Sequence, residues 1–369
     1  MAAGSFEAMW SALPDGDRCE RPVGSCRQAA AARGGYPVTM ASTHFAGRFG
    51  SVVTAMVTPF DAEGALDVDG AVALARWLVD HGSDGLVVAG TTGEGPVLSD
   101  EEKLTLWEAV AGAVTVPVVA GSGSNDTAHS IHLTKALSAT GVAAALVVTP
   151  YYNRPSQAGL RQHFAAVAAA TDLPVMLYDI PVRTGRKIAT DTVLTLATQV
   201  PNIVAVKEAS GDVIGAARLV AHAPPGLELY SGDDPLTLPL LSVGAVGVVS
   251  VASHWVGTAI GAMITAFGAG EVTRATSANA ALLDAVAFQS SEEHPNPLPA
   301  KAMCRALGLP AGQCRLPLGP ADPELDEAAA AMVRQLRALG QLEEPAVAAP
   351  GPGGAGVAGG ASAAGGRVA

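Results

Sequence analysis

The sequence is poor in aromatic residues and in positive charge, and each shortage excludes a class of protein. Phe, Trp and Tyr make up only 4% of the 369 residues, although hydrophobic residues make up 49%. A large interior must therefore be built mainly from Val, Leu, Ala and Ile. The formal net charge of −12 argues against nucleic acid and against an anionic membrane surface as partners, because both favour a basic face.

Metal-site spacing, long apolar runs and a secretory signal are also missing. The four cysteines, Cys19, Cys26, Cys304 and Cys314, show no clustering typical of a metal site, and we interpret them as reduced thiols. No apolar run reaches about 18 residues, so we expect no membrane-spanning helix. The N-terminus lacks a basic start followed by an apolar core. We therefore expect a protein of the cytoplasm.

The two ends of the chain differ from its middle. Residues 1–47 mix Gly, Pro, Ala, Arg and Ser without a clear period, which predicts a flexible N-terminal extension. Residues 341–369 consist mostly of Pro, Gly, Ala and Val and have no large side chains to bury, which predicts a disordered tail.

Eight short apolar runs lie between these ends. They occupy 52–60, 85–90, 116–121, 144–150, 174–181, 203–209, 227–234 and 247–253. Each run is continuous rather than alternating, which is typical of a strand that is covered on both faces. The runs therefore predict eight buried, parallel strands.

Segments with helical spacing separate the runs. Three of them are 68–81, 100–114 and 127–140. Ser99 followed by Glu102 predicts a capping box at the start of the second. Alternating strands and helices predict an α/β fold, a (β/α)8 TIM barrel over 48–254, with a C-terminal helical region over 255–340.

Lys207 is the most informative polar residue at a predicted strand end, where TIM barrels place their active sites. It follows four apolar residues, so its stem must run through the barrel. Burial disfavours the ammonium and lowers its pKa, which yields a free amine that can attack a carbonyl to form an imine. The alternatives are a lysine that reaches the barrel rim or one that pairs with Glu208, although strand alternation sends Glu208 to the opposite face.

Three further groups stand at neighbouring strand ends. The phenol of Tyr178 can reach the Lys207 amine and relay protons, with the hydroxyls of Thr91 and Tyr152 as partners; the alternative is a rim tyrosine in water. Arg183 offers a planar fork for a carboxylate, or forms a surface salt bridge. The motif GTTGE (90–94) can turn amide N–H groups and two hydroxyls toward a carboxylate, although a simple turn fits it equally well.

Six motifs occur in an order and spacing that point to one family. They are GTTGE (90–94), TPYYNRPSQ (149–157), LYDIPVRTG (177–185), VKEAS (206–210), YSGDD (230–234) and NPLPAK (296–301). Together they resemble the dihydrodipicolinate synthase (4-hydroxy-tetrahydrodipicolinate synthase) family of the class I pyruvate-dependent lyases. The resemblance implies condensation of pyruvate with L-aspartate 4-semialdehyde, in diaminopimelate and lysine synthesis, without a metal or an organic cofactor.

The resemblance also implies catalytic roles for four residues. Lys207 matches the lysine that forms the Schiff base with pyruvate. Tyr178 matches the general acid/base, which closes a proton relay with Thr91 and with Tyr152 of a neighbouring subunit.

Four more residues match substrate-binding positions. Thr92 matches the residue that holds the carboxylate of pyruvate, and Arg183 the arginine that grips the carboxylate of the semialdehyde. Gly232 and Val249 match positions whose backbone carbonyls line the pocket. The family usually has Ile at position 249 and Asn where Asp179 stands; the residues suggest no function for the second difference.

The resemblance further implies a homotetramer, a dimer of dimers, and a cleft that binds lysine in inhibited members. The matching cleft positions are Gly95, Pro96, Asp100, Lys103, Asn125, His129 and Tyr151. Only Asn125 and Tyr151 keep the residues of the inhibited members. His129 replaces the carboxylate that would pair with the effector, and Lys103 adds a like charge, so we expect weak or absent lysine inhibition.

Two other functions stay open. A different aldolase of the superfamily, such as N-acetylneuraminate lyase or a keto-deoxy-sugar-acid aldolase, would share Lys207 and Tyr178. Arg183 and the paired tyrosines at 151 and 152 favour the semialdehyde over its polyol substrates. A non-catalytic regulatory paralogue is the second alternative, which the complete set of reactive residues disfavours.

Overall fold

A closed parallel barrel forms the centre of the molecule. The structure, a computed structural model, describes residues 47–342. Residues 1–46 and 343–369 lie outside the described residues. They make up nearly all of the extension expected over 1–47 and of the tail expected over 341–369. The strands follow one another in sequence order around the barrel, and the eighth pairs with the first. The predicted TIM barrel is therefore confirmed.

Each predicted run contains one strand. The strands are β1 (Val52–Ala55), β2 (Gly85–Val88), β3 (Val118–Gly121), β4 (Ala144–Val148), β5 (Val175–Asp179), β6 (Ile203–Glu208), β7 (Glu228–Ser231) and β8 (Gly247–Ser250). The runs are continuous because one face of each strand packs inside the barrel and the other packs under the helices. Val53, Val87 and Met176 belong to the inner core, whereas Val52, Leu86 and Leu177 belong to the outer one.

Helices surround the barrel and extend beyond it. They are α1 (Val68–Asp80), α2 (Asp100–Ala113), α3 (Thr127–Ala136), α4 (Gln157–Ala168), α5 (Pro181–Thr184), α6 (Thr190–Gln199), α7 (Val213–His222), α8 (Thr237–Leu241), α9 (Ser253–Gly268), α10 (Val272–Ala287), α11 (Leu298–Ala306) and α12 (Pro323–Ala338). The capping box of α2 is confirmed, because the Ser99 hydroxyl accepts from the Glu102 N–H at 3.1 Å while the Ser99 N–H donates to the Glu102 carboxylate at 2.9 Å.

The last four helices pack on the outside of the barrel and on one another. Helix α9 packs against β1 and α1, α10 packs on α9, and α11 packs on both α9 and α12. The division into a barrel over 48–254 and a helical region over 255–340 stays a prediction. Across residues 47–342, no helix combines the length and the apolar character that a membrane span requires.

Candidate active site

A cavity of about 360 Å³ opens at the carboxyl ends of the barrel strands. Loops after β2, β3, β4 and β5 form its walls, and Thr91, Tyr178 and Arg183 line it. Lys207 adjoins the cavity through Tyr178: its Nζ stands over the phenol ring, 4.2 Å from the ring centroid. The fold therefore brings together four of the residues singled out from the sequence.

Lys207 and Tyr178 meet because they are directly opposite each other in the pairing of β5 with β6. Lys207 is 5% exposed. This burial lowers the pKa of its ammonium to about 8, while the negative charge of Asp234 partly opposes the shift and the positive charge of Arg183 adds to it. At pH 7 roughly a tenth of the side chain is then free amine, against less than roughly a thousandth for an ordinary lysine.

Glu208 does not neutralise this lysine. Its side chain lies on the other face of β6, where Oε1 accepts a hydrogen bond from the Ser210 N–H at 2.6 Å. Within the described residues no carboxylate lies within ion-pair distance of the Lys207 ammonium, so the Lys207–Glu208 pair considered from the sequence is not formed. The amine thus combines burial with the absence of a close counter-charge, the condition that favours a nucleophilic lysine.

The Tyr178 phenol is buried rather than at the rim in water. Burial raises its pKa to about 12, although a hydrogen bond with Thr91 and the charge of Arg183 lower it in part, and Asp233 raises it further. The phenol is therefore protonated at neutral pH and already joined to one hydroxyl. A proton donor in contact with the lysine amine is suited to the transfers that accompany imine formation.

Asn296 connects Thr92 with Arg183, and reasoning from the sequence missed it. Its side-chain amide donates to the Thr92 hydroxyl at 3.0 Å, and its backbone carbonyl accepts from the Arg183 guanidinium at 3.0 Å. Asn296 lies in the C-terminal region, 204 positions from Thr92 in sequence. The motif NPLPAK (296–301) was recognised in the sequence, but no hydrophobic period predicts that Asn296 contacts the loops at the ends of the barrel strands.

Gly232 packs against the lysine strand, whereas Val249 lies on β8, two strands further round the barrel. A Cβ on Gly232 would stand 2.9 Å from Lys207 Cγ and 2.8 Å from Ala209 Cβ, so only glycine leaves room for the lysine stem. Its N–H donates to the Glu208 carbonyl at 2.7 Å. Val249 on β8 is buried in the inner core of the barrel. Gly232 therefore shapes the surroundings of the lysine stem, and the role of Val249 stays a prediction.

Tyr152 is the one predicted catalytic residue that the single chain leaves apart. Its side chain is 90% exposed, whereas its neighbour Tyr151 lines the cavity. Backbone strain marks its loop: within the described residues, the non-glycine residues with positive φ are Ala89, Glu94, Tyr152 and Arg154. All four lie in the loops after β2 and β4, and such strain concentrates at functional sites. The action of Tyr152 in a neighbouring subunit stays a prediction.

The positions that match the lysine cleft share this cavity. All seven of them, Gly95, Pro96, Asp100, Lys103, Asn125, His129 and Tyr151, line it together with Thr91 and Tyr178. His129 Nε2 lies 3.0 Å from an Asp100 carboxylate oxygen, so the acidic group of the cleft already has a partner. Burial lowers the pKa of Lys103, which Asp100 partly opposes.

Asp179 lies outside the cavity, beside Glu208 on the outer face of the sheet. Its Oδ1 accepts from the Ile188 N–H at 3.0 Å. Burial raises the pKa of this carboxyl to about 7, the Ile188 hydrogen bond opposes the shift, and Glu208 adds to it. At pH 7 about half of this carboxyl is then neutral, and in that form it accepts the Ile188 hydrogen bond as an asparagine would.

Metal binding is not indicated by side-chain grouping in the part of the chain that the structure describes. No group of three or more His, Cys, Asp or Glu side chains converges there as a metal site would require.

Comparison with known proteins gives consistent results. The profile of the "Dihydrodipicolinate synthetase family" matches residues 48–336. The 4-hydroxy-tetrahydrodipicolinate synthase of Moorella thermoacetica is 51% identical over 290 residues, which are 78% of this chain and 98% of the relative.

Solved structures agree with the sequence relatives. A dihydrodipicolinate synthase of Bacillus anthracis is 44% identical with a TM-score of 0.75, covering 78% of this chain and 98% of its own. A Cyanidioschyzon merolae enzyme, solved with lysine bound, is 44% identical with a TM-score of 0.75, covering 81% and 100%.

Proposed function

The chain belongs to the dihydrodipicolinate synthetase family, and we propose that it works by holding pyruvate as an imine on Lys207. Its activity is that of a 4-hydroxy-tetrahydrodipicolinate synthase, a lyase of diaminopimelate and lysine synthesis. It condenses two small molecules, pyruvate and L-aspartate 4-semialdehyde. The observation that carries the mechanism is the buried Lys207 amine over the Tyr178 ring, with its pKa lowered to about 8.

The first half of the reaction activates pyruvate. The free amine of Lys207 attacks the ketone carbon, and the oxygen leaves as water once Tyr178 and its hydroxyl partners have supplied the protons. Loss of a proton from the methyl group of the protonated imine gives an enamine. The nitrogen of Lys207 thereby takes up the electron pair, which is why the chemistry needs no separate cofactor.

The second half forms the carbon–carbon bond. The enamine carbon attacks the aldehyde of the semialdehyde, whose oxygen takes up a proton. The amino group of the adduct then displaces Lys207 from the imine carbon and closes the ring, which releases 4-hydroxy-tetrahydrodipicolinate and regenerates the free lysine. The proton relay consists of Tyr178, Thr91 and the partner subunit's Tyr152.

Two groups hold the substrates' carboxylates. Thr92, buried beside Thr91, offers its hydroxyl and amide to pyruvate, and Arg183, at the mouth of the cavity, offers its planar fork to the semialdehyde. Asn296 fixes the position of Thr92 relative to Arg183, because it forms hydrogen bonds with both. The backbone carbonyls of Gly232 and Val249 complete the wall near the lysine.

Borohydride trapping tests the imine. Wild-type protein incubated with pyruvate and borohydride should gain one reduced pyruvate adduct, which peptide mass spectrometry should locate on Lys207. Lys207→Ala is the control and should gain none. A wild type that takes no adduct contradicts the mechanism, and an adduct on another lysine contradicts the assignment of Lys207.

A panel of aldehydes tests the second substrate. Arg183 favours L-aspartate 4-semialdehyde over the polyol substrates of N-acetylneuraminate lyase or keto-deoxy-sugar-acid aldolases. A coupled assay should therefore show saturation with the semialdehyde and none with N-acetylmannosamine. Saturation with N-acetylmannosamine instead would assign the chain to the sugar-acid branch of the superfamily.

Assembly and location follow from the same proposal. Tyr152 completes the relay only across an interface, so the active form is at least a dimer, and we propose a homotetramer arranged as a dimer of dimers in the cytoplasm. Sedimentation of the full chain at assay concentration measures the assembly, and a fully active monomer would contradict it.

Lysine should inhibit weakly or not at all. The cleft has His129 where inhibited members have a carboxylate, and Asp100 is already paired with that histidine. The buried Lys103 repels a second ammonium. Steady-state assays with added lysine measure the effect, and a micromolar inhibition constant would contradict this prediction.

A further inference from the structure

A buried ion pair ties the loop that carries Thr91 and Thr92 to the C-terminal helices. Lys301 Nζ lies 2.6 Å from Glu94 Oε1, and both side chains have 0% exposure. The other carboxylate oxygen of Glu94 accepts from the backbone N–H of Arg315 at 2.8 Å. One side chain of the loop is therefore held by two separate segments of the C-terminal region.

Lys301 is itself fixed on three sides. It lies on α11, its ammonium donates to the Gln313 carbonyl at 2.9 Å, and it stands over the Phe60 ring, 4.1 Å from the centroid. The stem has no solvent to move into. The ammonium consequently presents the Glu94 carboxylate with a charge at one defined point.

The loop 90–95 needs such an anchor because its backbone is strained and tightly turned. Glu94 has φ 56°, in the left-handed region. Its N–H donates to the Thr91 carbonyl at 3.1 Å, and the Gly95 N–H donates to the Gly90 carbonyl at 3.0 Å. A left-handed non-glycine residue persists only where its surroundings hold it, and here the side chain of the strained residue makes the anchoring contact.

We propose that Glu94 and Lys301 are positioning residues for the condensation: their pair holds the turn so that Thr92 faces the carboxylate of pyruvate and Thr91 reaches Tyr178. This inference rests on the proposed function. A buried ion pair contributes little net stability compared with apolar residues, because two charges must lose their water. The ion pair and the hydrogen bond from the Arg315 N–H together fix the turn in one place, and a misplacement of about 1 Å in a site costs on the order of 100-fold in rate.

A matched variant on the same helix separates positioning from general support of the C-terminal region. Arg305, also on α11, forms an ion pair with Asp326 and donates to the Gly312 carbonyl at 2.7 Å, without contacting the loop 90–95. Lys301→Met and Arg305→Met each remove one cation from α11. Both full-length variants are assayed at a temperature where unfolding curves show them to be folded.

The expected result is a selective loss. In Lys301→Met, kcat/KM for pyruvate should fall by about 100-fold, because Thr92 and Thr91 leave their positions. The kcat/KM for the semialdehyde, which Arg183 holds from α5, should fall less, and Arg305→Met should keep wild-type values for both substrates. Equal losses in the two variants, or an unchanged kcat/KM for pyruvate in Lys301→Met, would overturn the inference.

A double variant keeps the test decisive if Lys301→Met does not fold. Glu94→Gln combined with Lys301→Met leaves no unpaired buried charge and retains an oxygen for the Arg315 N–H. It should fold and still show the selective loss for pyruvate, whereas wild-type kcat/KM would overturn the inference. Borohydride trapping on the wild type distinguishes the two proposals: trapping without a selective loss contradicts only the positioning role, and no trapping contradicts the imine mechanism itself.

Discussion

Lys207 and Lys301 are both buried lysines, yet their surroundings give them opposite chemistry. Lys301 is fully buried and lies 2.6 Å from a carboxylate that is equally buried. Lys207 is nearly as buried, but its ammonium faces an aromatic ring and no carboxylate within ion-pair distance among the described residues. Burial lowers the pKa of both; Glu94 opposes the shift at Lys301 from within an ion pair, and Asp234 opposes it at Lys207 from beyond ion-pair distance.

The comparison shows that burial alone does not make a lysine reactive. A buried ammonium beside a buried carboxylate keeps its proton and serves as an anchor, because giving up the proton would leave the carboxylate unpaired. A buried ammonium without such a partner gives up its proton more readily and becomes a nucleophile. In our proposals the two lysines divide the work: Lys207 reacts with pyruvate, and Lys301 holds the loop that binds it.

Replacing the nucleophile should give the largest effect. Lys207→Ala removes the amine that we propose forms the imine, so kcat should fall on the order of 10⁴-fold or more. The coupled assay measures the fall, and circular dichroism checks the fold. If Lys207→Ala keeps more than a few per cent of wild-type turnover, Lys207 does not form the imine, and the proposed difference in reactivity between Lys207 and Lys301 is wrong.

Lys301→Met and Lys207→Met should change the free energy of unfolding in opposite directions. Lys301→Met leaves Glu94 buried without its partner and should lower the free energy of unfolding by about 3–5 kcal/mol. Lys207→Met removes an ammonium that burial destabilises, so it should raise the free energy of unfolding at pH 7, by about 1–3 kcal/mol from the pKa shift. Urea unfolding of both variants measures this, and changes of the same sign would contradict the comparison.

Removing the phenol hydroxyl should have a smaller effect on turnover than removing the lysine. Tyr178→Phe keeps the ring under the ammonium but loses the proton donor, so kcat should fall by about 100-fold while borohydride still traps pyruvate. Thr91→Val, which removes the hydroxyl that joins the phenol, is the matched variant and should fall less. An active Tyr178→Phe enzyme would mean that another group moves the protons.

The smallest expected effect is that of replacing Asp179, which lies on the outer face of β5 beside Glu208. Its folded pKa of about 7 lies above its ordinary value of 3.8, so Asp179 favours folding fully only below about pH 4, and this contribution is lost progressively as the pH rises from about 4 to about 7. Asp179→Asn should therefore leave activity unchanged and raise the free energy of unfolding at pH 8 by about 2–3 kcal/mol more than at pH 5. Unfolding curves at the two pH values measure the difference; a larger gain at pH 5 would show the opposite sign.

Local patterns predicted the barrel and the neighbouring positions of Lys207 and Tyr178. The eight strands were predictable because each is continuously apolar, and the start of α2 because Ser99 and Glu102 satisfy its first N–H groups. Lys207 was predictable as a buried amine because it continues an apolar strand. Tyr178 could be placed next to it because consecutive strands of a parallel barrel are neighbours.

Long-range contacts were not predictable in the same way. Neither the bridge from Asn296 to Thr92 nor the pair of Glu94 with Lys301 follows from a period or a cap. Both join positions that are about 200 residues apart in the chain. Their partners are polar residues in proline-rich or glycine-rich segments, where the sequence pattern leaves the path of the backbone open.

The sequence by itself therefore determined the order of the strands and the burial of Lys207, because hydrophobic periodicity and strand alternation are local, whereas the roles expected of the other site residues came from the resemblance to the family. Only the tertiary structure decided that, among residues 47–342, Lys207 has no carboxylate within ion-pair distance and Lys301 has one. That difference depends on where the loop after β2 meets α11, and two segments so far apart in sequence are brought together only when the barrel has closed and the C-terminal helices have packed on it.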